Sequence, residues 1–554
     1  MAIELSTIKF TNQADVVPES GEEDILNTGI ANTLAGNDTI TGTGASGGSF
    51  ENPSNEYGIY STGTFNTAEG NDIITGTGDR GGIYSTGTFN TAEGDDIITA
   101  KGRYSDGLVN SGTFNTAEGD DIINASGWRY GAGMNNSGTF NTGEGNDKIS
   151  AGAGSDGLVN SGTFNTADGN DTIEGFGGKS DGILIHKGSI LDTGNGNDRI
   201  RGSGYYSGIV NASFNFNTGD GDDTIEGWGT FSSGIYNIGL INTGKGKDTI
   251  FAGETINYYG VVPSLNNFST IDTGDGEDII TVSGGIQNQG IIDTGDRDDI
   301  ITGSGGFSYS GGYKMSGISN KGTIDTGNGN DSIIAKGGSI NFNTDFPSFG
   351  PGLSNFSTIE TGNGEDIITA TGGIENDGTI DTGDGDDIIT GSRGLYFGKE
   401  ISGLANKGTI NTGNGNDSII AESLFISTDG TINTGNGKDT ITSIYGIENQ
   451  GKINTGDGAD FLIANGGFKG MGSVFLGNGK DYLNGFGTGK FNGGNNEDTL
   501  ELTSGTYTVG ISATTVSFTK SGVIMYTSEF EKLIAGSTTY NFTSLTDGQT
   551  IVVA

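Results

Sequence analysis

One turn, written again and again, decides what this chain can fold into. Nineteen times the sequence passes through a run whose commonest form is Thr-Gly-x-Gly-x-Asp-x-Ile. Clean copies are Thr326-Gly327-Asn328-Gly329-Asn330-Asp331-Ser332-Ile333 and Thr412-Gly413-Asn414-Gly415-Asn416-Asp417-Ser418-Ile419. The aspartates of the run are mostly 21 to 27 residues apart, and the spacing is 21 at Asp278 to Asp299, Asp366 to Asp387, Asp439 to Asp460 and Asp460 to Asp481. Self-similarity at a period of this size marks a solenoid, in which each unit buries its apolar face only against its neighbours.

The shortest unit shows what one coil contains. Residues 446–466 hold three short apolar stretches separated by Gly-rich turns, and within each stretch apolar and polar residues alternate. Alternation is the period of a strand, and no segment has the i, i+3, i+4 spacing of a helix. Ile447, Ile453 and Leu462 are therefore expected to point inward, one from each side. The fold class predicted is all-β: a long three-sided parallel β-helix with a small C-terminal antiparallel β-cap. Coils about 4.8 Å apart would make a rod on the order of 90 Å long. Asn110, Asn160, Asn211, Asn237, Asn288, Asn320, Asn376, Asn406 and Asn449 stand two residues after an inward aliphatic. Parity places them inside as a hydrogen-bonding ladder.

Composition fits this reading and excludes others. With 107 Gly, only 5 Pro and no three-residue period the chain is not collagen. An apolar fraction of 31% with a net charge of −43 suits disorder unless repeats stack. The absence of Cys removes disulfides and thiolate metal sites, and the single His186 leaves no material for a histidine triad. With 69 acidic against 26 basic residues, nucleic acid is excluded as a partner. No apolar run approaches the length of a membrane span.

The repeated turn carries the chemistry. Gly permits positive φ, and Asp adds a charged oxygen with the same strand parity as the inward Ile two residues later. Stacked buried carboxylates repel unless a cation lies among them, and Ca²⁺ takes hard oxygen ligands of this kind. The motif resembles the RTX, or haemolysin-type, calcium-binding repeat Gly-Gly-x-Gly-x-Asp-x-(aliphatic)-x, in a divergent form with one turn per coil. The resemblance implies Ca²⁺ as cofactor. Its ligands would be Asp38, Asp72, Asp96, Asp121, Asp147, Asp171, Asp198, Asp223, Asp248, Asp278, Asp299, Asp331, Asp366, Asp387, Asp417, Asp439, Asp460, Asp481 and Asp498, completed by carbonyls of the preceding Gly-x-Gly. Ala68, Ala92, Ala117, Ala167 and Arg297 replace glycines, and Lys245 and Lys247 make one copy locally basic, so those sites are expected to be weak.

Three regions follow: an N-terminal cap (1–30), the repeats (31–499) and a C-terminal β-cap (500–554). Similarity of the last region to the segment after RTX blocks implies export by a type I system without a cleaved N-terminal signal, hence an extracellular or cell-surface location. Insertions at 43–57, 252–268, 303–316 and 337–351 collect on one corner and, with neighbouring segments, place aromatics such as Trp128, Tyr130, Tyr205, Tyr206, Trp228, Tyr258, Tyr259, Phe307, Tyr309, Tyr313, Phe346, Phe349, Tyr396 and Phe397 along one edge.

An identical unit used many times suits assembly, whereas catalysis needs one irregular constellation. The function expected is therefore a structural or cell-surface protein that partners itself or a surface polysaccharide. A polysaccharide-active enzyme and an ice-binding segment are the alternatives. For the latter, Thr64, Thr88, Thr113, Thr139 and Thr163 line up.

Overall fold

In the computed structural model the described residues are 2–18, 24–44, 56–254, 262–306, 316–340, 348–396 and 399–554. The chain forms two compact units, Met1–Asn257 with Val262–Ser283, and Tyr258–Val261 with Gly284–Ala554. Both are built of three-strand coils joined by parallel pairing.

In the first unit a representative coil runs Leu108–Asn110, Thr113–Asn115, Ile122–Ser126. Each strand pairs in parallel with its counterpart one coil on: Leu108 with Met134, Thr113 with Thr139, Ile122 with Lys148. These strands define a first, a second and a third sheet. Leu108, Phe114 and Ile123, one from each, are fully buried. Strict pairing stacks like on like. Phe65, Phe89, Phe114, Phe140 and Phe164 form an inner column with ring centroids 4.5–5.0 Å apart. The offset contacts add to the apolar area each ring removes from water. Phe114→Ala is expected to cost about 3–5 kcal/mol, read as a lower urea midpoint. A loss below about 1 kcal/mol would show that the column is not a packed core.

The asparagine ladder lies where parity puts it. Asn110 Nδ2 donates to Asn136 Oδ1 (2.9 Å) and to the carbonyl of Thr139 (2.8 Å), and Asn237 repeats the pattern with Asn267 and Thr270. The ladder resumes in the second unit from Asn288 through Asn320, Asn355 and Asn376 to Asn406. These buried amides thereby find partners across coils.

In the second unit Ile447, Ile453 and Leu462 are buried as expected. Parallel pairing extends to Gly489–Asn495 with Val523–Ser528 and Thr499–Leu502 with Lys532–Ala535. Antiparallel pairing then joins Gly505–Ser512 to Thr515–Lys520 and to Thr550–Val553. In the first unit parallel pairing reaches back to Ile3–Glu4, beside Ile25–Asn27. Among the described residues no helix is long and apolar enough to cross a membrane.

Candidate metal centre

The repeated turn forms the corner between the second and third sheets, and each of its residues has a task in the stack. The threonine is buried, and its hydroxyl reaches the threonine carbonyl of the next coil: Thr33 to Thr67 at 2.6 Å, Thr67 to Thr91 at 3.1 Å. Glycine is needed at the second Gly position for two reasons. Gly385 has φ +153°, and a Cβ there would lie 1.6 Å from the carbonyl oxygen of Gly364 one coil earlier. The backbones touch, and only hydrogen fits between them.

The aspartates stand in a buried column. In the first unit the backbone N–H of each donates to Oδ1 of the next, from Asp38 to Asp72 and on to Asp278, at 2.7–2.8 Å. In the second unit the same bond runs from Asp299 to Asp498 at 2.8–2.9 Å. Copies with a replaced glycine keep it. Ala68, Ala92, Ala117 and Ala167 take φ of 63–69° and Arg297 takes 98°, the left-handed conformation of the glycines they replace. Asp248 in the basic copy is fully buried like the rest.

The second carboxylate oxygen distinguishes groups of coils. Threonine Oγ1 has one proton and two acceptors within reach, the next threonine carbonyl and the Oδ2 of its own turn. At Thr326, Thr361, Thr382 and Thr412 it donates to Oδ2 of Asp331, Asp366, Asp387 and Asp417 at 2.5–2.7 Å. At Asp72, Asp96, Asp121, Asp147, Asp171, Asp198, Asp223 and Asp248, and again at Asp439, Asp460 and Asp481, Oδ2 is buried and takes no hydrogen bond. Burial is the largest influence on these carboxyls and pushes them up, to about 6 at Asp72, about 7 at Asp96 and about 8 at Asp121. The threonine hydroxyl and the N–H of the preceding aspartate pull down, and the neighbouring carboxylates push up again.

At Asp96 a rise from 3.8 to about 7 corresponds to about 4 kcal/mol against the charged carboxylate. A few such sites already match the net stability of a whole domain, about 5–15 kcal/mol. A fully ionised, uncompensated column is therefore disfavoured, and protons or cations among the carboxylates would relieve it. The buried Oδ2 atoms are hard anionic oxygens of the kind Ca²⁺ takes, so the residues fit the ion in charge and donor type. No group of three or more Asp, Glu, His or Cys side chains converges among the described residues. Backbone carbonyls would have to complete any shell.

Outside this corner, unlike charges meet at places the sequence did not reveal, among them Arg199 with Glu174 and Glu226. A cleft of about 360 Å³ in the second unit is lined by Arg393, Glu400, Tyr445, Glu448 and Lys469 among others. Arg393 pairs with Glu400 and lies over the Tyr445 ring at 4.5 Å, and its backbone N–H donates to Glu422. Arg393 and Glu400 thus engage each other as a brace. Of the expected aromatic edge, Trp128, Tyr130, Tyr205 and Tyr206 are exposed, whereas Trp228 packs on Phe251. Tyr258, Tyr259, Phe307, Tyr309, Tyr313, Phe346 and Phe397 lie outside the described residues, as do most of the four insertions and the side chains of Phe349 and Tyr396.

Fold and corner together define the class: a parallel β-helix whose coils are locked by stacked Gly-Asp turns. Among solved structures, one similar to it is a hyperactive, Ca²⁺-dependent, β-helical antifreeze protein from an Antarctic bacterium, at 15% identity and a TM-score of 0.31, covering 69% of this chain and 83% of that one. No family model matches the chain, and no curated protein is similar to it in sequence.

Proposed function

We propose that this chain is a secreted, calcium-stabilised structural or cell-surface protein of the RTX type, an element of a matrix, coat, filament or adhesin. The observation that supports this most is the aspartate column: buried anionic oxygens left without hydrogen bonds, repeated coil after coil in both units. Asp72, Asp96, Asp121 and their equivalents would hold Ca²⁺ with carbonyls of the turn. When bound, the ion supplies the positive charge that lets the corners close at neutral pH. Because a cation that binds only the folded chain stabilises it by mass action, low cytosolic and high external calcium would delay folding until export. Electron microscopy of purified protein tests the assembly. Ordered filaments or lattices are expected with Ca²⁺ and dispersal with chelator. Dispersed monomers in both conditions would sink it.

A second reading, ice binding, is favoured by one array. On the second sheet Thr64, Thr88, Thr113, Thr139 and Thr163 pair in register, with Asn66, Asn90, Asn115, Asn141 and Asn165 beside them on the same face. The asparagines are tied side chain to side chain, as in Asn115 to Asn90 at 2.7 Å. Thermal hysteresis in Ca²⁺, lost on Thr113→Leu with Thr139→Leu, is the expected signature. Its absence from the wild type would dismiss this reading.

A further inference from the structure

The third-sheet strands of the first unit end in two opposite chemistries. The chain carries only 26 basic residues against 69 acidic ones, yet exposed Arg80, Lys101, Arg103, Arg129 and Lys179 gather at the C-terminal ends of these strands. Backbone bonds keep this edge stacked past the strands: Arg103 N–H reaches Gly78 O and Tyr104 N–H reaches Asp79 O, both at 2.9 Å, and Gly178 N–H reaches Ala153 O at 2.9 Å. Between the cations stand the side chains of Tyr104, Trp128 and Tyr130, 60%, 62% and 78% exposed. The Lys179 ammonium lies 5.9 Å from the centre of the Tyr130 ring. The acids nearby are already engaged. Asp79 pairs with Arg103, and Asp106, Asp156 and Asp181 accept backbone N–H groups of Ala132, Asp181 and Ser207. The exposed charges of this edge are therefore basic, while Asp79, Asp106, Asp156 and Asp181 are half-buried.

At the N-terminal ends of the same strands the sign reverses. Glu69, Glu93, Glu118, Glu144 and Asp168, one per coil, are exposed at the middle of the repeated turn. Their backbone carbonyls accept the N–H of Gly36, Gly70, Gly94, Gly119 and Gly145, which fixes one acid above the next at the coil spacing. Between the two edges the sheet presents Ile73, Ile97 and Ile122, 45%, 40% and 37% exposed.

We propose that the basic-aromatic edge of one copy docks on the acidic edge of a second copy, so that molecules associate side by side. The inference rests on the reading of the chain as an assembling structural protein and names the surface that assembles. The acidic edge repeats in every coil, about 4.8 Å apart, and the basic edge carries a cation in four of the same five coils, so a single Arg–Glu pair in place brings the other pairs into register. One exposed ion pair is worth about 0–1 kcal/mol, and specificity comes from the row, with the aromatics supplying contact area. Because the two surfaces differ, the interface is heterologous and leaves a free edge of each kind on the growing assembly.

Charge reversal tests this with the whole protein in Ca²⁺, each variant first checked for wild-type circular dichroism. Arg103→Glu/Arg129→Glu/Lys179→Glu, with two acidic edges, and Glu69→Lys/Glu93→Lys/Glu118→Lys, with two basic ones, should each self-associate at least tenfold more weakly than wild type in sedimentation velocity. Mixed, they should co-sediment, and added salt should dissociate them. Failure of the mixture to associate, or variants that associate like wild type, overturns the edge pairing while leaving an assembling protein standing. A wild type that never associates sinks both. A monomeric wild type retained on an alginate column through Arg103, Arg129 and Lys179 assigns the edge to an anionic polysaccharide and overturns self-pairing.

Discussion

In chelator at pH 8 the protein is expected to melt more than about 10 °C below its midpoint in millimolar Ca²⁺, and acidifying the metal-free sample to pH 5 is expected to recover much of the loss. The sign follows from the column. Its carboxyls titrate near 3.8 when unfolded, but burial raises them in the folded chain to about 6 at Asp147, about 7 at Asp171 and about 8 at Asp198. The folded state therefore binds more protons than the unfolded chain between these values, and stability falls as pH rises. Protonation keeps the contribution whole below about pH 4, and it is lost as pH climbs through 6 to 8. A bound cation replaces the proton, so calcium should flatten the pH dependence. Differential scanning calorimetry at pH 5 and pH 8, with and without Ca²⁺, measures all four corners. Equal midpoints at the two pH values without metal would mean the aspartates are not a strained buried column.

The second large effect concerns shape. Gly385→Ala should cost at least about 4 kcal/mol, because its Cβ would meet backbone, the Gly364 carbonyl at 1.6 Å, in a left-handed conformation. Ala92→Gly should change stability by less than about 1 kcal/mol, since the strain it relieves is offset by a more flexible unfolded chain. Urea titrations of the two variants separate close backbone stacking from mere turn preference. Similar midpoints for both would discard the stacking argument.

Much of this was legible in the residues. Parity alone placed Ile447, Ile453, Leu462, the asparagine ladder and the aspartates inside, because a two-residue alternation repeated with one coil length leaves little freedom. What Asp Oδ1 binds was not legible. Its partner is the N–H of an aspartate 17 to 35 residues away, and that bond exists only once the coils stack. For the same reason the close approach of turn glycines in adjacent coils, as of Gly385 to the Gly364 carbonyl, was not legible. The Thr326 and Thr67 hydroxyls choose different acceptors within the same motif, a choice made by small differences in the corner. The opposed charges at the two ends of each third-sheet strand were equally hidden, since Arg103 and Glu93 become edge neighbours of other coils only in three dimensions.

The aspartate ladder also has terminators. In the first unit the N–H of Asp15, outside the motif, occupies Oδ1 of Asp38, and in the second unit the Asp498 N–H donates to Glu531 Oε2 at 2.7 Å. Glu531 does there what a further coil's aspartate would otherwise do. Within each unit the ladder does not depend on how many coils it holds, because every aspartate joint uses the same donor and the same acceptor. A 21-residue segment such as 440–460 duplicated in place should slot in without any other change, which makes this architecture easy to lengthen or shorten by whole coils. Its reach can thus change while the chemistry of each joint stays as it is.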